Sequence, residues 1–100
     1  MIDRYCFVRL ADDHATPAGR AAALAAIRDG LGDLPGLRRL TVGTPADDSA
    51  ARWDLSIVAR FADRDALAAA LASPAWSAIF AELLPGRAVV IKTWNFAVDE

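Results

Sequence analysis

Trp53-Asp54-Leu55-Ser56-Ile57-Val58-Ala59-Arg60-Phe61, followed by Ala62-Asp63, is the stretch from which the fold is read. Trp53, Leu55, Ile57, Ala59 and Phe61 fall on one face of an extended chain. Asp54, Ser56, Val58 and Arg60 fall on the other. A period of two over this length is a β-strand. Asp63 then caps a helix whose one side carries Leu67, Ala70 and Leu71. Ser73-Pro74 interrupts that helix, because a proline inside a helix removes a hydrogen bond, yet Ser-Pro is a good start for a new one. The second helix holds Trp76, Ile79, Phe80, Leu83 and Leu84 and stops at Pro85-Gly86. Residues 88–96, AVVIKTWNF, read as the last strand.

The upstream half repeats this order. Residues 4–10, RYCFVRL, are rich in β-branched and aromatic types and read as a strand. After the polar connection Asp12-Asp13-His14-Ala15, Thr16-Pro17 opens a helix with a capping hydroxyl and a proline where no N–H is needed. Leu24, Ile27, Leu31 and Leu34 form its apolar stripe, and Gly30, Gly32 and Leu34-Pro35-Gly36 end it. Leu37 to Thr44 is a strand, and Pro45-Ala46-Asp47-Asp48-Ser49 is a loop. The order is β-α-β-β-α-β. It predicts an α+β, ferredoxin-like domain with an antiparallel four-stranded sheet and helices on one face.

The chain has 100 residues, enough for one domain spanning 1–100. Eleven Lys+Arg against 13 Asp+Glu leave no basic surplus for phosphate contacts, so nucleic acid is not an expected partner. Hydrophobic residues are 55%, although 23 of them are Ala, which leaves a modest core and excludes a disordered chain. No apolar run approaches the ~20 residues of a membrane span. The start MIDRYCFV lacks the layout of a signal peptide, and the single cysteine, Cys6, forms no internal disulfide. A cytoplasmic location is the expectation.

The strands also predict a partner. In the first, Tyr5, Phe7 and Arg9 alternate with Cys6, Val8 and Leu10. In the last, Val89, Ile91 and Thr93 alternate with Val90, Lys92 and Trp94. Both faces of both strands carry large apolar groups, whereas a sheet wet on one side shows a polar face. An exposed face bearing several of Val8, Leu10, Val90 or Trp94 would need a cover, and the expected cover is a second copy. Asp54 and Arg60 share a face of one strand about 20 Å apart at the strand rise. They are expected either as solvated charges or as pairs across a two-fold axis.

Leu34-Pro35-Gly36-Leu37, Thr41-Val42-Gly43, Trp53 to Asp63, and Leu71-Ala72-Ser73-Pro74-Ala75-Trp76, taken in order and spacing, resemble the stress-responsive α/β-barrel domain family. The related antibiotic-biosynthesis monooxygenase family is similar around residues 60–80. The resemblance implies a dimeric α/β barrel, in which the sheets of a homodimer form the barrel and each subunit keeps a small pocket between sheet and helices. Cyclase chemistry in the family uses a Tyr-x-x-His-Pro-x-His segment. Here Ala70 stands at the tyrosine position, Ser73 and Trp76 at the histidine positions, and the usual first-strand histidine falls at Arg4 or Tyr5. A His/Tyr cyclase mechanism is therefore not carried over.

The expected function is that of a stress-responsive barrel protein with a small apolar or aromatic ligand between sheet and helices. The alternative is a cofactor-independent enzyme, cyclase-like or monooxygenase-like, acting on an aromatic polyketide-type substrate. A structural dimer without a ligand site is the third class. Trp53, Trp76, Trp94 and Asn95 are the candidate ligand-binding residues, since indole rings stack on planar ligands and an amide polarises a carbonyl. The competing role for the tryptophans is core or dimer packing. Related monooxygenases combine Asn and Trp with an Arg. No cofactor and no metal are expected: His14, beside Asp12 and Asp13, lacks the ligand set of a tight site, and no glycine-rich phosphate loop is present. His14 reads best as a solvated loop residue and Cys6 as a buried small hydrophobe.

Overall fold

The computed structural model describes residues 1–99. Its elements run β1 (Ile2–Leu10), α1 (Pro17–Leu31), β2 (Leu37–Gly43), β3 (Leu55–Phe61), α2 (Arg64–Leu71), α3 (Pro74–Ser77) and β4 (Ala88–Ala97). α3 runs on through a π-helical segment, Ala78–Leu83, into a 3-10 turn at Leu84–Gly86. The sheet order is β2-β3-β1-β4, with every neighbouring pair antiparallel. This is the α+β ferredoxin-like architecture expected from the element order. No single helix among the described residues is long and apolar enough to cross a membrane.

The helix starts obey the capping residues. Thr16 Oγ1 accepts from the Gly19 N–H at 3.0 Å, Asp63 Oδ1 from Ala66 at 2.8 Å and Ser73 Oγ from Trp76 at 3.2 Å. Each satisfies a donor that the first helical turn leaves free. After α1 the chain reverses at Gly36, whose φ of +84° lies where a Cβ is disfavoured. Gly30 lets α1 approach the π-helical segment, since a Cβ there would meet Ile79 Cδ1 at 2.7 Å.

The core lies between the sheet and the helices. Cys6, Val8 and Leu10 of β1, Leu55, Ile57, Ala59 and Phe61 of β3, and Val42 of β2 face Ala23, Ile27 and Leu31 of α1 and Leu67, Ala70, Trp76, Ile79 and Leu84 of the second helical layer. Val8 and Leu10 are thus core residues, at 0% and 2% exposure. They do not belong to the outward face on which the sequence reading counted them. The outward set of β1 is Asp3, Tyr5, Phe7 and Arg9. By register its neighbours are Phe96, Trp94, Lys92 and Val90 on β4 and Arg60, Val58 and Ser56 on β3.

Two further expectations are corrected. Trp53 does not share a face with Leu55. It precedes β3, and its ring lies 5.7 Å from that of Phe7 on the outward side. The reason is Asp54, which is buried and turned to the end of β1. The Asp54 N–H donates to Val8 O, and Asp54 Oδ2 accepts from the Leu10 N–H at 2.7 Å. Arg20 of α1 donates to Asp54 Oδ1 through Nε at 3.0 Å and pairs with it through Nη2 at 2.9 Å. Nor do Asp54 and Arg60 wait for a second copy, because Arg60 holds Asp3 within the chain, Nε to Oδ1 at 2.7 Å and Nη2 to Oδ2 at 3.0 Å.

Replacing Asp54 by Ala leaves a buried strand N–H and a guanidinium without their acceptor. It is expected to lower the unfolding free energy by about 2–4 kcal/mol. Urea denaturation at fixed protomer concentration measures this; a loss below ~0.5 kcal/mol would remove Asp54 as the tie between β1, β3 and α1.

Candidate functional site

Two concave regions flank the β1–β4 pair, one on each side of the sheet. On the helix side, Ile2, Asn95 and Ala97 form the floor of a cleft of about 390 Å³. Arg64, Leu67, Ala68 and Leu71 of α2 form its wall, and Phe96 sits at its rim. The lining is apolar except for one amide and one guanidinium. Behind Asn95 lies Arg4, its neighbour across the β1–β4 ladder. Arg4 Nη1 donates to Asn95 Oδ1 at 2.9 Å, and its guanidinium carbon stands 5.6 Å from the Trp76 ring centroid. Trp76 in turn stacks on Phe80 with centroids 4.4 Å apart. Cation–π attraction and the hydrogen bond together fix the guanidinium in place. Because the Asn95 carbonyl oxygen faces a donor, its NH₂ remains as a donor at the cleft.

Arg4 is the functional candidate that sequence reasoning missed. Its position was identified only as the place of a family histidine. Alternation puts it on the helix face with Ile2 and Cys6, and a charged residue there, between apolar neighbours, is the signal that could have singled it out. Burial pushes the Cys6 thiol above its ordinary value, with the Arg4 charge and hydrogen bond acting against that. Cys6 is 1% exposed, so at neutral pH it is a buried thiol of the core.

The outward side is aromatic. Tyr5, Phe7, Trp94 and Phe96 line a shallow depression of about 400 Å³. Tyr5 meets Phe96 edge-on at 5.5 Å, and Phe7 bridges Trp94 at 5.6 Å and Trp53 at 5.7 Å. Five of the eight aromatic residues in the chain are thereby on the face without helices. Trp94 and Phe96 are 44% and 56% exposed.

The four expected ligand residues therefore divide. Asn95 lines the helix-side cleft, and Trp76 reaches it through Arg4. Trp53 and Trp94 stand on the opposite face, flanking Phe7. His14 lies in the turn beyond the far end of β1, a strand that spans ~26 Å from Ile2 to Leu10 at the strand rise, with Nε2 3.7 Å from Asp13 Oδ2. Among the described residues, no group of three His, Cys, Asp or Glu side chains is disposed around a common point.

At the edge of the aromatic face, Arg39, Arg60 and Asp3 stand in one cross-strand row. The hydrogen bond from Arg60 holds the Asp3 carboxyl below its ordinary value of 3.8, and the charges of Arg60 and Arg39 add to this against the effect of burial.

No protein-family model and no curated protein matches the sequence. Solved structures do match. A dimeric ferredoxin-like protein of unknown function from Thermobifida fusca is 22% identical, with a TM-score of 0.82 over 97% of this chain and 90% of its own. A DABB family protein with a ferredoxin-like fold from Mesorhizobium loti is 12% identical, with a TM-score of 0.81 over 99% and 97%. A monooxygenase-like protein of antibiotic biosynthesis from Deinococcus radiodurans is 16% identical, with a TM-score of 0.75 over 100% and 94%. The shared property is the fold. It is the fold implied by the resemblance to the stress-responsive α/β-barrel family, with the monooxygenase relatives second.

Asp3 is depressed in the folded state, so its contribution is complete above its unfolded value near 3.8 and is lost as pH falls through the lower folded value. Asp3→Asn is expected to cost about 1–2 kcal/mol at neutral pH, the difference shrinking below about pH 4. Unfolding curves of both proteins between pH 7 and 2.5 check this; a difference that stays constant through that range would contradict it.

Proposed function

We propose that the protein is a homodimeric α/β-barrel protein that binds a small apolar or aromatic molecule between its sheet and helices. The observation that carries this is the helix-side cleft. Its walls are Ile2, Leu67, Ala68, Leu71 and Ala97, and its polar end is the Asn95 amide backed by Arg4 on the Trp76 ring. Mostly apolar walls with a few placed polar groups are the usual build of a small-molecule site. Trp76 and Asn95 belong to this site. Trp53 and Trp94 belong to the opposite face, where they serve assembly.

The case for the dimer is the aromatic face. Tyr5, Phe7, Trp53, Trp94 and Phe96 form one contiguous aromatic patch, the kind of apolar surface that marks an interaction site. A two-fold axis makes one such patch complementary to itself. Covering the sheet would bury on the order of 1,600 Å², the size of a stable interface. The neighbours from Thermobifida fusca and Bacteroides fragilis are described as dimeric.

A second reading, a cofactor-independent enzyme on an aromatic polyketide-type substrate, is favoured by one observation. Arg4, Asn95 and Trp76 converge, the residue types that the monooxygenase resemblance calls for. Proton transfer would fall to a group other than His14, which is remote from the cleft.

Light scattering at micromolar concentration is expected to give twice the chain mass of 10.6 kDa. Val58→Asp, in the middle of the outward face, is expected to yield monomer or unfolded chain, because the carboxylate would be desolvated between sheets. A folded monomer of the unmodified protein would refute the assembly. For the site, 2-naphthamide is expected to quench tryptophan fluorescence of the unmodified protein saturably. Filling the cleft by Ala68→Trp should weaken that at least tenfold, a loss of ~1.4 kcal/mol; equal binding by both would place the ligand elsewhere.

A further inference from the structure

We infer that the helix-side cleft selects planar anions, an aromatic carboxylate being the fitting class, with Arg4 and Arg64 as the residues that set this preference. The inference rests on the cleft being the ligand site. It adds what that reading leaves open, the charge of the ligand.

The chain as a whole is acidic, with 13 Asp+Glu against 11 Lys+Arg, yet the cleft is not. Among its lining residues Arg64 is the one charged side chain, and no carboxylate takes part. Immediately behind the lining is a second cation. Arg4 stands on the core side of β1, with Ile2 and Cys6 before and after it on the same face. It has a neutral amide oxygen, an indole ring and the Cys6 thiol as its neighbours. Among the described residues no carboxylate lies within ion-pair distance of it, whereas Asp3 is engaged by Arg60 on the opposite face and Asp54 by Arg20 at the other end of β1. The Arg4 Nε is buried and has no hydrogen-bond partner.

A buried donor on a charged group without an acceptor is costly, and proteins ordinarily supply the partner. Here the rest of the guanidinium is held rigidly by Trp76 and Asn95. A charge fixed in this way is preorganised to attract an anion seated at the Asn95 amide. A ligand carboxylate accepting from the Asn95 NH₂, with the Arg4 charge behind that amide and the ligand ring against Leu67, Leu71 and Ile2, would satisfy the polar end and fill the apolar walls. Arg64, at the first turn of α2, adds attraction at the entrance. A neutral ligand would leave the Arg4 charge uncompensated in a partly dry site.

Isothermal titration with 2-naphthoate and with the neutral 2-naphthamide tests this on the full chain. The carboxylate is expected to bind at least tenfold more tightly at low salt, and the advantage should narrow as ionic strength rises. Arg4→Gln is expected to abolish the preference. Arg64→Gln, exposed on α2 and harmless to the core, is expected to reduce it severalfold, which keeps the test decisive should the Arg4 variant fold poorly. Equal affinity for the two ligands, or a preference that survives Arg64→Gln unchanged in size and salt dependence, would overturn the inference while leaving the cleft as the site. Binding of neither ligand would overturn both.

Discussion

Hydrogen bonding of β1 on both its edges is the constraint on which the rest depends. Between β3 and β4 the strand has no freedom to rotate, so each residue is committed to one face or the other. Cys6, Val8 and Leu10 go to the helices and make the core. Tyr5 and Phe7 go to the other side and, with Trp94 and Phe96 from β4, make an aromatic surface. Arg4 goes to the core side as well, and this is what sets a second cation behind the cleft, in addition to Arg64 in its wall. A one-residue slip in register would exchange these sets, placing Tyr5 and Phe7 under the helices and exposing Val8.

The ends of β1 are tied by charged groups of opposite placement. At its C-terminal end Asp54 takes the Leu10 N–H and the Arg20 guanidinium, joining strand, strand and helix around one carboxylate. At its N-terminal end Asp3 takes Arg60 on the outward face. The Asp3–Arg60 pair borders the aromatic strip, whose middle row, Thr41, Val58, Tyr5 and Trp94, is free of charge. That is the composition a sheet-on-sheet contact requires, with polar groups at the rim and apolar groups at the centre.

Element order was legible because the two periodicities, two for strands and about 3.6 for helices, are written plainly in Leu55–Phe61 and in Leu24, Ile27 and Leu31. Caps at Thr16, Asp63 and Ser73 marked the helix starts to the residue. What alternation could not say was which face of each strand meets the helices, since the pattern of β1 is apolar in both phases. Hence Val8 and Leu10 were counted toward the wrong side. Trp53 was misplaced for a related reason. The strand pattern runs unbroken through Asp54 in the sequence, while in the fold that carboxylate turns inward to cap β1. The Arg4–Asn95 contact joins residues 91 apart, and no local pattern announces it.

The central claim is that the two faces of one sheet do different work, core and cleft on one side and a second copy on the other. Fluorine NMR of 5-fluorotryptophan-labelled protein reads it directly, because Trp76, Trp53 and Trp94 report from the two sides. With resonances assigned by single Trp→Phe variants, the H₂O/D₂O shift of each measures its contact with solvent. The account predicts that the Trp94 resonance is insensitive to solvent at micromolar concentration, although its side chain is 44% exposed in the isolated chain. Trp94 should gain that sensitivity on dilution while Trp76 stays unchanged. A Trp94 signal fully responsive to solvent in the concentrated, unmodified protein would contradict the account.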